Sequence, residues 1–297
     1  MGSSVNSLIQ VVTIIIIASV SPELAWSYAG LQAGAIILAT VVVAGALTVQ
    51  PKLRNSSLQQ ASYQSETSNR STMVRQPIIA RDTIFGTTKK SGGILFMETD
   101  ENNKYLHLVV QVASHEIEEF TEIYFNEHAL TLSSSGNDAN GIARLNVTAP
   151  SQYSTSSKFE DGRNTVRVKL HKGLDNQLAD ADLVSEAEKW TDEHRLRGIA
   201  YMYVRLAYDP DAFPNGLPNV SAIIKGKKIL DIRNSSTAYS ANPALVLYDY
   251  LTDTKLGLGV DTSDVDSASF ITLANLCDTN VSLSAGGTEK RYEAHGI

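Results

Sequence analysis

The pattern of apolar and polar positions divides the chain into three unlike stretches. Leu8 to Val20 (LIQVVTIIIIASV) is a short apolar run, and Ser21-Pro22-Glu23 breaks it before a second, charge-free run from Leu24 to Val49. A helix needs about 20 apolar residues to span a bilayer, so the second run is long enough and the first is marginal. The pattern therefore predicts an apolar N-terminal helical hairpin over residues 1–50, with a transmembrane helix or a protein-lined lumen as its two possible settings. Ile14, Ile15, Ile16, Ile17, Ile36, Ile37, Val41, Val42 and Val43 are the side chains expected to make that contact. Gly30, Gly34 and Gly45 provide small-residue faces that let helices approach closely. A cleavable signal peptide fits less well, because no basic segment precedes the first run.

Pro51 to Thr72 is rich in Ser, Asn, Gln and Thr and reads as a tether, which makes residues 51–90 a polar linker or arm. Beyond it the pattern changes to period two. Strands are expected over Gly93 to Glu98, Tyr105 to Ala113, Glu116 to Phe125, His128 to Leu132 and Ile142 to Thr148, with Ser133 to Gly141 as a polar loop. Thr165 to Leu170 alternates as a half-buried strand. Ile199 to Tyr208 is mostly apolar on both faces, as in a strand covered on both sides. After a turn-rich crossing, Val220 to Ile224 and Ile229 to Ile232 are expected to form a hairpin about Lys225-Gly226-Lys227. Helical patterns are few: Ala181 to Trp190 after an Asp180 cap, Ala244 to Leu251 opened by Asn242-Pro243, and Ser267 to Cys277 after Asp264 or Asp266. A strand, a Gly286-Gly287 turn and a strand close the sequence. The expected fold class is α+β and β-rich, with short inserted helices. The globular part is 91–297, divisible into 91–175 and 195–297 around a helical segment.

Composition alters this picture only in places. Of 297 residues 19 % are charged, and the net charge of −7 gives no electrostatic case for nucleic-acid binding. Charge is unevenly placed, since Glu23 is the only charged side chain before Pro51. The single cysteine, Cys277, excludes an internal disulfide and any cysteine-rich zinc site, and is expected to be a buried apolar thiol.

His115-Glu116 opens HEIEEF, where Glu119 stands in place of the second histidine of a metallopeptidase helix. Glu116, Glu118, Glu119 and Glu122 read as a solvated strand start. Asp175, Asp180 and Asp182 lack the spacing of a calcium loop. Gly257-Leu258-Gly259 follows a helix instead of opening one, and no serine sits in a nucleophile elbow. His107, His171, His194 and His295 are scattered. No catalytic, cofactor or metal residues are expected, and the chain reads as a non-enzyme.

Several stretches, in this order, resemble the hub region of bacteriophage tail tip proteins of the lambda-type tip attachment protein J family. They are LHLVVQVASHEIEEFTEIYFNE, WTDEHRLRGIAYMYVRLAYDPDAFPNGLPNVSAIIKGKKILDIR, SANPALVLYDYLTDTKLGLG, SFITLANLCDTNV and KRYEAHGI. The positions that carry the likeness are Trp190, Arg195, Arg197, Gly198, Pro218, Gly226, Asp231, Arg233, Asn242, Pro243, Asp249, Tyr250 and Gly257. The resemblance implies β-barrel-like hub domains that assemble as a homotrimer at the virion tail tip and cap the tail tube. It implies tail tube, distal tail and tape measure proteins as partners, the host membrane as a further one, and roles in host attachment and DNA delivery. Two other readings are an envelope protein anchored by the two apolar helices and a cell-wall hydrolase hub.

Overall fold

The computed structural model describes residues 81–100, 102–154 and 164–297, with Met73 and Arg75. All belong to the unit Gln64–Ile297. In chain order the strands are β1 (Thr87–Ser91), β2 (Ile94–Thr99), β3 (Tyr105–Ala113), β4 (Ile117–Phe125), β5 (His128–Ala129), β6 (Thr131–Asn137), β7 (Ala143–Ala149) and β8 (Val166–Lys172). A short helix, α1 (Ala181–Glu186), precedes β9 (Ala200–Ala207), β10 (Val220–Asp231) and β11 (Ser236–Tyr239). Helices α2 (Pro243–Thr252) and α3 (Ser267–Cys277) and a small hairpin, β12 (Asn280–Ser282) and β13 (Thr288–Lys290), complete the set.

Six strands form a curled half-barrel sheet in the order β2-β3-β9-β8-β7-β6, and all of its pairings are antiparallel. A second sheet runs β1-β10-β4-β5, with β11 joined to the far half of β10. The expected β-rich architecture is present, but the large sheet is open, half a barrel rather than a closed one. Its central strands draw on both sides of residues 176–194: β9 lies between β3 and β8, so the sheet is closed up only when the later strand arrives.

The main core lies between the sheets. Leu108, Val110 and Val112 of β3, Val166 and Val168 of β8, and Met202, Val204 and Leu206 of β9 form one cluster with Ile117, Ile123 and Phe125 of β4 and Val220, Ala222 and Ile224 of β10. These positions recur at every second residue, which is what the strand pleat requires of a buried face. The helices are fixed at their starts by side-chain caps. Asn242 accepts from Ala244 and Leu245 N–H groups, Asp266 from Ala268 and Ser269, and Asp180 from Leu183. A smaller core of Ile229, Ala244, Leu245 and Ala274 holds α2 and α3 against β10. Cys277 is buried.

Four local expectations are corrected. Lys225-Gly226-Lys227 is no turn; β10 runs through it for 12 residues. A Cβ on Gly226 would lie 2.1 Å from the Ile84 carbonyl oxygen, and the Gly226 and Lys227 N–H groups donate to Gly86 and Ile84 oxygens at 2.8 and 2.7 Å. Glycine is used there for backbone approach. Ser133 to Gly141 is largely strand: β6 is an edge strand exposed on both faces, so no apolar alternation marks it. Thr165 to Leu170 is buried on both faces through Lys169 rather than half-buried. The helix from Ala181 ends at Glu186 instead of Trp190.

The expectation of a transmembrane helix is also corrected. Among the described residues no helix is long and apolar enough to cross a membrane, the longest being α3 with 11 residues. The apolar hairpin of residues 1–50, including Ile14 to Ile17, Ile36, Ile37 and Val41 to Val43, lies outside the described residues.

Candidate functional site

The outer face of the half-barrel sheet carries the densest group of buried polar side chains. The strand registers set them in three rows: His107–Arg205–Arg167, Val109–Tyr203–Lys169 and Gln111–Tyr201–His171 across β3, β9 and β8. Arg205 and Arg167 stand directly opposite each other, an arrangement that repels unless an anion intervenes. Glu186, at the last turn of α1, supplies it, 2.8 Å from Arg167 and 3.3 Å from Arg205.

Lys169 is the centre of the next group. Its fully buried ammonium lies 2.5 Å from Asp138, 2.7 Å from Asp180 and 3.4 Å from Asp182. Each carboxylate has a second task. Asp138 accepts the Asn140 and Ile142 N–H groups and so closes the β6–β7 turn. Asp180 caps α1 and is 2.7 Å from His171 Nε2, while Asp182 takes two bonds from Arg144 of β7. One lysine therefore joins β8, the β6–β7 turn and α1. Burial alone would raise Asp182; the Arg144 bond and the Arg167 and Lys169 charges outweigh it and hold the carboxyl at about 2. Burial likewise opposes ionisation of Asp180, and the His171 bond and Lys169 carry its pKa below the ordinary value. Burial pushes the Tyr201 and Tyr203 phenols up and the His107 imidazole down.

The segment between β8 and β9 lies over these rows. Trp190 is buried against Phe96, with ring centroids 5.0 Å apart, and joins Leu183, Tyr201 and Tyr203 in an apolar cluster. At its base, Gln177 accepts from Gly173 N–H and donates to the Arg195 and Leu196 carbonyls. Arg197 Nε donates to the Gln177 carbonyl, and Arg195 Nε to that of Asp192. Trp190, Arg195 and Arg197 are thus brought together as fasteners of this cover, and Gly198 follows them with a positive φ of 72°.

The remaining positions on which the resemblance was drawn lie elsewhere. Pro218 is buried just before β10, and Gly226 is the crossing point with Ile84. Asp231 and Arg233 pair at 2.7 Å, and Arg233 reaches Asp278 beyond α3 at 2.7 Å. Asn242 caps α2 and donates to the Ala274 carbonyl of α3, and Pro243 begins the helix. Lys227 bridges Asp249, at 2.6 Å, and Asp253. The Tyr250 carbonyl accepts from Leu258 N–H, and Gly257 N–H donates to the Asp253 carbonyl. These positions form a second set of fasteners, around α2 and α3, separate from the first.

Sequence reasoning missed Lys169, Asp138, Arg144 and Glu186. Asp182 figures in the sequence only as part of a poor calcium loop, and Asp180 as part of that loop and as a helix cap. For Lys169 the signal is the alternation of Arg167 and Lys169 with Val and Leu along one strand. The glutamates at the start of β4 lie at the surface, as expected, and make exposed pairs: Glu116 with Lys228 and Glu119 with Lys225, each at 2.5 Å, while Glu122 accepts from Tyr124. Among the described residues, no group of three or more His, Cys, Asp and Glu is arranged to hold a metal ion. Lys169 occupies the point on which the three aspartates converge.

No family model matches the chain. It is 23 % identical over 231 residues to the baseplate hub protein pb3 of Escherichia phage T5, an alignment covering 66 % of this chain and 24 % of that protein. It is 30 % identical over 140 residues to the tip attachment protein J of Escherichia phage SECphi27, covering 36 % of this chain and 11 % of that protein. The chain thus spans less than a quarter of the length of either relative. A solved chain from the virion of a native gene transfer agent particle matches 56 % of it, with 13 % identity and a TM-score of 0.37, too slight to define a fold. The likeness is partial, and it is to baseplate hub and tip attachment proteins broadly; it does not single out the lambda type.

Proposed function

We propose that this chain is a structural subunit of a phage tail or baseplate, and that it forms a homotrimeric hub at the tail tip which caps the tail tube. The observation that carries the reading is the alignment to a baseplate hub protein over 66 % of the chain. The nature of the buried polar residues agrees with it. Lys169, Arg167, Arg144 and their carboxylates are spent on one another, which joins strands and a helix and leaves no group poised for proton or acyl transfer. In this reading residues 91–297 are the hub region and residues 51–90 an arm. The subunit contacts the tail tube, distal tail proteins and the tape measure protein, and takes part in attachment and DNA delivery.

Light scattering on the purified full chain tests the assembly. The expected mass is that of three chains of 32.2 kDa each. A concentration-independent monomer contradicts the trimer.

A further inference from the structure

Residues 82–87 cross the molecule between two histidines, and both histidines face them as acceptors. The Ile84 N–H donates to His115 Nε2 at 2.9 Å, and the Thr87 N–H donates to His295 Nδ1 at 3.0 Å. The other nitrogen of His115 lies 2.7 Å from the Glu116 carbonyl oxygen, which only accepts, so Nδ1 carries the hydrogen and Nε2 carries none. His295 Nε2 faces the Glu293 carboxylate at 3.2 Å. Both bonds to the crossing segment exist only while the rings are neutral. A proton on either ring turns its acceptor nitrogen into a donor pointed at a backbone N–H.

Several close contacts depend on this placement. Ile84 is fully buried in the main core, and its carbonyl accepts from Lys227 N–H at 2.7 Å. Phe85 and Gly296 exchange two backbone hydrogen bonds, of 2.9 and 3.0 Å. A Cβ on Gly86 would lie 2.3 Å from the Ala294 carbonyl oxygen and from His295 Nδ1, so the two segments touch without room for a side chain. The Asp82 carbonyl accepts from Ser114 N–H, and its carboxylate pairs with Lys90 at 2.6 Å.

We propose that residues 82–87 and 294–297 form an acid-released clasp, closed by neutral His115 and opened when this ring takes up a proton. The charged groups about His115 are Glu116 on its own segment, Lys227 and Lys228 on β10, Asp249 and Asp253 beside α2, and Asp82 and Lys90. Burial is the largest influence and holds the His115 imidazole below its ordinary value; the bond to the Glu116 carbonyl opposes it, the Lys227 charge adds to it, and Asp253 offsets that charge in part. About His295 stand Glu293 and, through Thr87, the Tyr239 hydroxyl. The sign follows from linkage: a histidine kept neutral in the closed state contributes closure above about pH 6.5, and that contribution is lost as the pH falls below it. The six-stranded sheet is outside this circuit, since its β3–β9 and β8–β9 ladders use neither ring.

Amide hydrogen exchange on the full chain, corrected for intrinsic pH dependence, tests the clasp. Between about pH 7.5 and pH 5, protection at Ile84, Phe85, Thr87 and Gly296 is expected to fall by about tenfold or more, while Met202 and Val204 of β9 keep theirs. In the variant His115→Gln/His295→Asn, each amide oxygen accepts the same N–H without titrating, and the clasp amides are expected to lose their pH response. The proposal is overturned if clasp protection in the natural chain does not change, if β9 loses protection in step, or if the double variant responds as before. If the double variant does not fold, His115→Gln alone should remove the response at Ile84. An unchanged response there overturns the proposal as well.

Discussion

On its inner face the half-barrel sheet meets Ile117, Phe125, Val220 and Ile224 of the second sheet. On its outer face it meets α1, Trp190 and the ions around Lys169. The same three strands, β3, β8 and β9, supply both faces, and both are buried. The inner contact is non-directional and scales with the apolar area removed from water, at about 25 cal/mol per Å2. The outer contact depends on specific pairs: four cations, Arg144, Arg167, Lys169 and Arg205, meet four carboxylates, Asp138, Asp180, Asp182 and Glu186. Some of its polar atoms, such as His171 Nδ1, Trp190 Nε1 and Tyr201 Oη, have no protein partner among the described residues. The comparison teaches that burial alone does not rank the two faces. The apolar face tolerates exchange of like for like, whereas the ionic face specifies which segment covers it and is sensitive to loss of any one partner.

The largest expected effect breaks the ionic face. Lys169→Met leaves three carboxylates around an apolar chain and should cost about 3–5 kcal/mol in denaturant unfolding. Adding Asp138→Ala should recover part of this, with a coupling of about 1–3 kcal/mol, because the two residues belong to one network. On the apolar face Leu108→Ala should cost about 2–5 kcal/mol. Its cost should add, within about 0.5 kcal/mol, to that of an equally buried residue well removed from it. Additive costs on the ionic face would erase the distinction.

Gly226→Ala tests whether the apolar face has room where the chain crosses it. The added methyl meets the Ile84 carbonyl, and a loss of about 1–3 kcal/mol in thermal melts is expected. Asn242→Ala removes the α2 cap and the bond to Ala274, and should cost about 0.5–2 kcal/mol by the same measurement. The smallest expected effect comes with acid. Asp182 and Asp253 are both held at about 2, so the stability they contribute is complete above the ordinary carboxylate value and is lost as the pH falls through about 2. Melting curves should therefore show an acid loss that Asp182→Asn reduces.

The apolar face was legible in the sequence because its residues recur at the strand period within single stretches, as in LHLVVQV and AYMYVRLA. The caps Asp180, Asn242 and Asp266 were legible because capping is local. The ionic face was not: Asp138 stands 31 residues before Lys169, and alternating charges in TVRVKL read equally well as a solvated side. The covering of that side by α1 is a tertiary event with no local mark. β6 was missed because an edge strand exposed on both faces has no apolar period, and β10 was split because a glycine between two lysines has the composition of a turn. Which use that glycine serves is decided by Ile84, which lies more than a hundred residues away in the chain.

Under the proposed function, the two faces stabilise a subunit of a tail hub. Cryo-electron microscopy of virions carrying the chain's gene is the decisive measurement. Three copies of the half-barrel sheet are expected around the tail axis at the tip, in contact with the last ring of the tail tube. Virions that lack the chain, or carry it away from the tail, contradict the proposed function.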